Sequence, residues 1–208
     1  MQKLSRDFYL RDDVVLIAKE LLGKIIVTKF DGSYTAGRIV ETEAYAGIRD
    51  KASHAYNNRR TNRTEVMFSN TGVAYVYLCY GIHHLFNVVC NVNEHPDAVL
   101  IRGIEPLEGI NIMLKRSNKK QLDATLGRGP GNVSKSLGIF TTHSGMDLQS
   151  KKLFLANDGT TGFEMAVSKR IGVDYAGDHA SWLYRFFVQD NQHVSKHIFN
   201  KDGIVLLK

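Results

Sequence analysis

The chain is poor in cysteine and proline, and it has no apolar run of about 18 residues, the length that a bilayer span requires. Its two cysteines, Cys79 and Cys90, sit in the apolar runs YVYLCYG and NVVCNV, where buried free thiols are the default. Neither belongs to a CxxC, and two cysteines make no disulfide framework. The three prolines are scattered and no low-complexity tract is visible, so a Pro-rich or disordered chain is excluded. The opening MQKLSRDFYLRDD lacks the apolar block of a signal peptide, and with the cysteine pattern this points to a reducing cytoplasm. Also missing are the Walker lysine pattern, the GxGxxG spacing and the GxSxG elbow, which removes nucleotide-triphosphate and serine-nucleophile readings. Helix-turn-helix, zinc-finger and leucine-zipper signatures are absent. His83-His84 projects to opposite strand faces, and His179, His193 and His197 have no standard zinc spacing, so no metal is expected.

What is present begins with a core: 43% of the 208 residues are hydrophobic and 10% aromatic, enough for one compact domain over residues 1–208. Lys and Arg exceed Asp and Glu by 27 to 21, a net charge of +6, which attracts phosphate polyanions. VVLIAKELLG after Asp12-Asp13 reads as a capped helix closed by Gly23. KIIVTKF, Asp31-Gly32 and YTAGRIVETEAY read as a β-hairpin. GVAYVYLCYG, HHLFNVVCNV and AVLIRGIE supply three more strands, and KKLFLAND, EMAVSKRIGV and WLYRFFV three later ones, with a hairpin turn at Asp158-Gly159. A helix is expected from Pro106 toward Lys119-Lys120, and GRGPGNVSKSLGI reads as a Gly-rich turn and a short helix. Strands that follow one another without long crossovers predict an α+β domain with a largely antiparallel sheet and flanking helices.

Five groups of residues carry chemical potential. Glu41 and Glu43 lie two apart on a strand, so they share a face that Tyr45 continues. Acids so placed are commonly a sheet's solvated side, but this strand runs straight into an unusual polar loop, 46–62, where catalytic groups often sit. Tyr80-Gly81 reads as a hairpin tip; a tyrosine there either folds back on the hairpin or serves as a wedge between bases. Arg102 interrupts an apolar strand and needs an acid, either as a plain buried ion pair or to keep a catalytic carboxylate ionised. Arg49, Lys51, His54, Arg59, Arg60 and Arg63, interleaved with Asn and Thr, form either a solvated loop or a phosphate-contacting surface. The Gly-rich GRGPGNVSKSLG offers backbone N–H groups at a helix start, although a tight structural turn explains it equally well.

In order along the chain, GRIVETEAYAG, His54, TGVAYVYLCYGIHHLFNVV, AVLIRGIEPLEG, GRGPGNVSKSLGI and RIGVDYAG resemble the alkyladenine (3-methyladenine) DNA glycosylase family of the mammalian type, which has bacterial homologues. The likeness spans roughly residues 5–188; residues 189–208 form a tail of no assigned role, and the stretch around 141–162 is variable. It implies a curved, largely antiparallel sheet in a single mixed domain, and a monofunctional hydrolase of N-glycosyl bonds that needs no cofactor. Its partner would be double-stranded DNA carrying damaged purines, met by a monomer in a bacterial-type cytoplasm. By the resemblance Glu43 is the catalytic carboxylate and Arg102 its water-positioning partner, while the backbone carbonyl of Ile171 helps hold the water. Tyr45, His54 and Tyr77 sandwich the flipped base, Asn87 crowds the exocyclic amino group of guanine, and Tyr80 fills the vacated stack. Arg59, Thr61 and Met67 fall in the segment that lines DNA. Glu41 is expected to matter far less than Glu43. The competing readings are a non-catalytic nucleic-acid-binding module, which leaves the Glu43–Arg102 pair without a purpose, and a nucleosidase, which leaves a wedge at Tyr80 without one.

Overall fold

The computed structural model describes residues 1–92 and 94–206. In chain order its elements are β1 (Gln2–Lys3), α1 (Arg6–Tyr9), α2 (Val14–Leu21), β2 (Ile25–Phe30), β3 (Ser33–Tyr45), α3 (Glu65–Phe68), β4 (Ala74–Cys79), β5 (His83–Cys90), β6 (Asp97–Glu108), α4 (Ile110–Ser117), α5 (Pro130–Leu137), β7 (Leu153–Asn157), β8 (Met165–Ser168), β9 (Arg185–Val188) and β10 (Ile204–Leu206). The strands make one antiparallel sheet in the order β1-β7-β2-β3-β6-β5-β4, and β9, β8 and β10 continue from β3 as a branch. The expected α+β class is the one observed. Among the described residues no helix is long and apolar enough to cross a membrane.

Local chemistry accounts for the elements that place the site. Asp13 caps α2 by accepting from the Leu16 N–H at 2.9 Å, and Val14, Ile17, Ala18 and Leu21 then recur at helical spacing on the buried face. That face packs on Ile39, Val99, Ile101 and Phe86 of the sheet, and each such side chain contributes about 1.5–3 kcal/mol by leaving water. Asp31 and Gly32 both take positive φ, which closes the β2–β3 hairpin as its sequence requires. Pro130 starts α5 and left-handed Gly138 ends it.

β3 governs the architecture. Its residues 33–38 pair with β2, and residues 41–43 pair with β9, so the sheet forks around Val40. On its other edge β3 pairs with β6, with register shifts on either side of Glu41. There Glu41 faces Gly103 and Thr42 faces Ile101, which leaves Arg102 as a bulged residue re-aimed by the irregularity.

Two expectations are corrected. No helix starts at Pro106: β6 runs through it to Glu108, and α4 begins only after left-handed Gly109. Pro106 pairs with Gly37 beside a register shift between Ala36 and Gly37, the kind of irregularity at which strands carry proline. Asp158-Gly159 closes no hairpin, since β7 pairs with β1 and β2 whereas β8 pairs with β9 and β10. Asp158 instead binds Arg38 at 2.8 Å. Within residues 189–206, the stretch that sequence left without a role, His193, Val194 and Ser195 are buried and β10 extends the branch.

Candidate active site

The side chains of interest form rows across one face of the sheet, the face opposite α2. Tyr75 is registered with Asn87, Asn87 with Leu100, and Leu100 with Glu43; Tyr77 lies one step along β4 and Arg102 one step along β6. The period of two that predicted shared faces on β3 and β4 thus converges residues from four strands. Above them is a cavity of about 580 Å³ whose walls include Tyr45, His54, Tyr77, Asn87, Arg102 and Ile171, with Tyr80 at its mouth. Loop 46–62 and the Gly129–Asn132 turn complete the walls, so the Gly-rich segment that sequence left undecided borders this space.

Glu43 is fully buried behind the cavity wall, bonded to three residues that line it, which rules out the solvated-face reading of its strand. One oxygen accepts from the Ile171 N–H at 2.8 Å; the other accepts from the Tyr45 hydroxyl at 2.9 Å and from Arg102 Nη1 at 3.4 Å. Ile171 meets Glu43 directly through its amide N–H. Burial pulls the Arg102 guanidinium down, but Glu43 and Glu41 together more than offset it, and the net direction is upward. Arg102 stays charged.

The aromatic walls are organised before any ligand arrives. His54 meets Tyr77 edge-on at 4.6 Å between ring centroids and pairs with the Tyr75 hydroxyl at 2.8 Å. Burial, helped by Arg63 and Arg59, pushes His54 down to about 4, so the ring is neutral near pH 7. A neutral imidazole does not repel a cationic base. Burial likewise raises the hydroxyls of Tyr45 and Tyr77, and Glu43 adds to the effect on Tyr45. Both remain hydroxyl donors at neutral pH.

Asn87 is buried at the cavity wall and donates to the carbonyls of Tyr75 at 3.2 Å and Leu85 at 3.4 Å. These bonds fix its side chain while it lines the cavity, so its structural and gating readings are compatible. Tyr80 is 92% exposed, with φ +50° beside Gly81 at +73°. It does not fold back on the hairpin. Arg59 and Thr61 are exposed, and Thr61 braces the entry to α3 through Thr64. Met67 is corrected as a surface contact: it is buried in the cavity wall with Phe68 and Ala55. Arg60 is held by Glu65 at 2.8 Å and Glu94 at 2.7 Å, which removes it from the free cations of the loop.

The sequence pattern of the Methylpurine-DNA glycosylase family matches residues 7–192. The chain belongs to this family. A protein of Desulfitobacterium hafniense (strain Y51) is 42% identical over 94% of this chain and 99% of its own length. One from Clostridium perfringens (strain 13 / Type A) is 43% identical over 93% and 99%. One from Clostridium acetobutylicum is 42% identical over 96% and 100%. All three carry the provisional name 3-methyladenine DNA glycosylase. Membership makes the chain a DNA glycosylase.

Within this methylpurine-DNA glycosylase fold, residues not assigned from sequence complete the surroundings. Glu41 is as buried as Glu43 and binds Arg185 at 2.6 Å. Arg170, also buried, binds Asp50 and the Ala44 carbonyl and places its guanidinium 4.9 Å from the centre of the Tyr45 ring, fixing that ring from behind. An arginine amid SKRIGV next to Ile171 was the available signal. Tyr175, 70% exposed, reaches across the cavity mouth to the Ala52 carbonyl at 3.1 Å.

Proposed function

We propose that this DNA glycosylase hydrolyses the N-glycosidic bond of alkylated or deaminated purines of the 3-methyladenine, ethenoadenine and hypoxanthine type in double-stranded DNA. The observation that supports it best is a buried carboxylate, Glu43, joined to a charged arginine at the edge of an aromatic cavity whose mouth carries an exposed tyrosine. A base inside a duplex is out of reach of such a carboxylate, so the nucleotide rotates out of the stack, which costs a few kcal/mol. Tyr80 enters the gap and restores part of the stacking. The base lies among Tyr45, His54 and Tyr77, and neutral His54 accommodates a positive charge on it.

Of the three donors on Glu43, Arg102 at 3.4 Å is the longest and yields most easily, making room for a water between guanidinium and carboxylate. Glu43 accepts a proton from that water as its oxygen bonds to C1′. The C1′–N bond breaks and its electron pair leaves with the base, which departs neutral if it was cationic and as an anion that then takes a proton from solvent if it was neutral. Positive charge accumulating on the sugar in this step is stabilised by the nearby carboxylate. Exposed Arg59 and Thr61 contact the DNA backbone. The protein works as a monomer and needs neither metal nor cofactor.

The test is a duplex carrying one 1,N6-ethenoadenine or hypoxanthine. Alkali-labile abasic sites that appear without a strand break before alkali are the expected product. Tight binding without base release would instead identify a binding module, and release from free nucleosides but not from duplex would identify a nucleosidase.

A further inference from the structure

Two residues from Glu43, a second buried carboxylate is connected to the same arginine. Glu41 Oε1 accepts from Arg185 Nε at 2.6 Å, and Oε2 accepts from both the backbone N–H and the hydroxyl of Ser195 at 2.8 Å each. Arg102 Nε is buried without an aligned hydrogen-bond partner among the described residues and lies 3.3 Å from Glu41 Oε1. The guanidinium thus spans two carboxylates, Nε toward Glu41 and Nη1 toward Glu43. We propose that Glu41 and Ser195 are positioning residues of the glycosylase reaction: the C-terminal segment around Ser195 holds Glu41, and Glu41 retains Arg102 through its Nε while Nη1 yields its bond to Glu43 to the water. This inference rests on the assignment of Glu43 and Arg102 to the chemistry.

Three observations carry it. First, Glu41 with Arg185 and Ser195 is already a satisfied buried group, so packing alone gives no reason to aim a further arginine at it. The four charges Glu41, Glu43, Arg102 and Arg185 sum to zero, and removing either carboxylate leaves a buried surplus of positive charge beside the reacting sugar. Second, the segment is seated by a close backbone approach. A Cβ on Gly103, the neighbour of Arg102, would stand 2.8 Å from the His193 carbonyl and 3.2 Å from Glu41 Oε2. Glycine there lets the segment lie directly against the bulge that aims Arg102. Third, the segment is anchored from both sides, by His193 Nδ1 to the Ala124 carbonyl at 3.0 Å and by Asn200 Nδ2 to the Ser195 carbonyl at 3.0 Å. Ser195 lies beyond residue 192, where the family's sequence pattern ends.

The experiment compares the full-length chain with Ser195→Ala, Ser195→Thr, Gly103→Ala and Glu41→Gln, first checking each fold by thermal melting. Single-turnover base release and affinity for abasic duplex are then measured. Sub-ångström displacement of a reacting constellation lowers rate more than binding, so Ser195→Ala should lose about tenfold and Gly103→Ala up to about 100-fold in rate, with product affinity little changed. Ser195→Thr retains the hydroxyl and should restore most of the rate, and Glu41→Gln should fall at least as far as Ser195→Ala. A merely structural role lowers melting temperature but leaves the rate of the folded protein untouched. Wild-type rates in folded Ser195→Ala and Glu41→Gln, or a loss confined to binding, overturn the inference while an active wild type upholds the functional reading. An inactive wild type overturns that reading and the inference together. Should Gly103→Ala and Glu41→Gln fail to fold, Ser195→Ala and its threonine rescue decide.

Discussion

Glu43 lies behind the wall of the cavity whose mouth Tyr80 occupies, and the two are built by opposite rules. Glu43 is wholly removed from solvent, on the longest strand among the described residues, and its Ile171 and Tyr45 donors are preset. Tyr80 stands on a three-residue tip with no cover, its backbone in a left-handed conformation uncommon for an aromatic residue. A buried site gains from dipoles already aimed at a reaction, because nothing then reorganises at the moment of bond breaking. An exposed ring gains nothing until a partner arrives. On the proposed function the contrast separates a group that performs chemistry from one that engages DNA, and substitutions in each region should divide along that line.

The largest effect belongs to Glu43→Gln. Without a carboxylate to take the proton, single-turnover excision should fall by about 10²–10⁴-fold while lesion-bearing duplex is still bound. Near-normal excision would abolish the distinction between the two regions. Tyr80→Ala should do the converse, weakening abasic-product binding by roughly 1–3 kcal/mol as the stack goes unfilled. A 2-aminopurine reporter beside the lesion reads this directly, and an unchanged signal would show that the ring never enters. Asn87 stands between the regions. Asn87→Ser should raise excision of guanine relative to hypoxanthine by about 1–2 kcal/mol of discrimination, because a shorter side chain leaves room for the 2-amino group. A constant rate ratio in a folded variant would reduce Asn87 to its two backbone bonds.

The smallest effect is on stability. His54 is held down to about 4 from an ordinary 6.5, so between those values the unfolded chain binds a proton that the folded chain refuses. Stability is fully present above about pH 6.5 and declines as pH falls toward 4. Thermal melts across that window should show the decline, and His54→Gln should flatten it.

Residues whose roles depend on local spacing were readable from the chain. The strand period put Glu41 with Glu43 and Tyr75 with Tyr77, and the helix period of VVLIAKEL found the face that covers the sheet. A glycine after Tyr80 marked the tip, and an arginine inside AVLIRGIE announced a partner. The partners themselves were not readable, since Arg185 and Ser195 lie 144 and 154 residues from Glu41 and no local period encodes them. Pro106 misled because a strand irregularity against Gly37 tolerates it, a fact settled by the neighbouring strand. Asp158-Gly159 has ideal turn chemistry, yet its flanking strands found other neighbours across the fork. The site roles of Tyr45, His54, Tyr77 and Asn87 came from family resemblance, and what the fold adds is their convergence around one cavity.

The backbone of Tyr80 carries a warning for protein engineers. At φ +50° a glycine or asparagine is more comfortable than an aromatic residue by about 1 kcal/mol. A library screened for heat resistance alone will drift toward those residues at the tip, and with Tyr80 as the proposed wedge the sturdier molecules would grip damaged duplex less well. Any thermostabilised version must therefore hold position 80 fixed and seek its gains elsewhere.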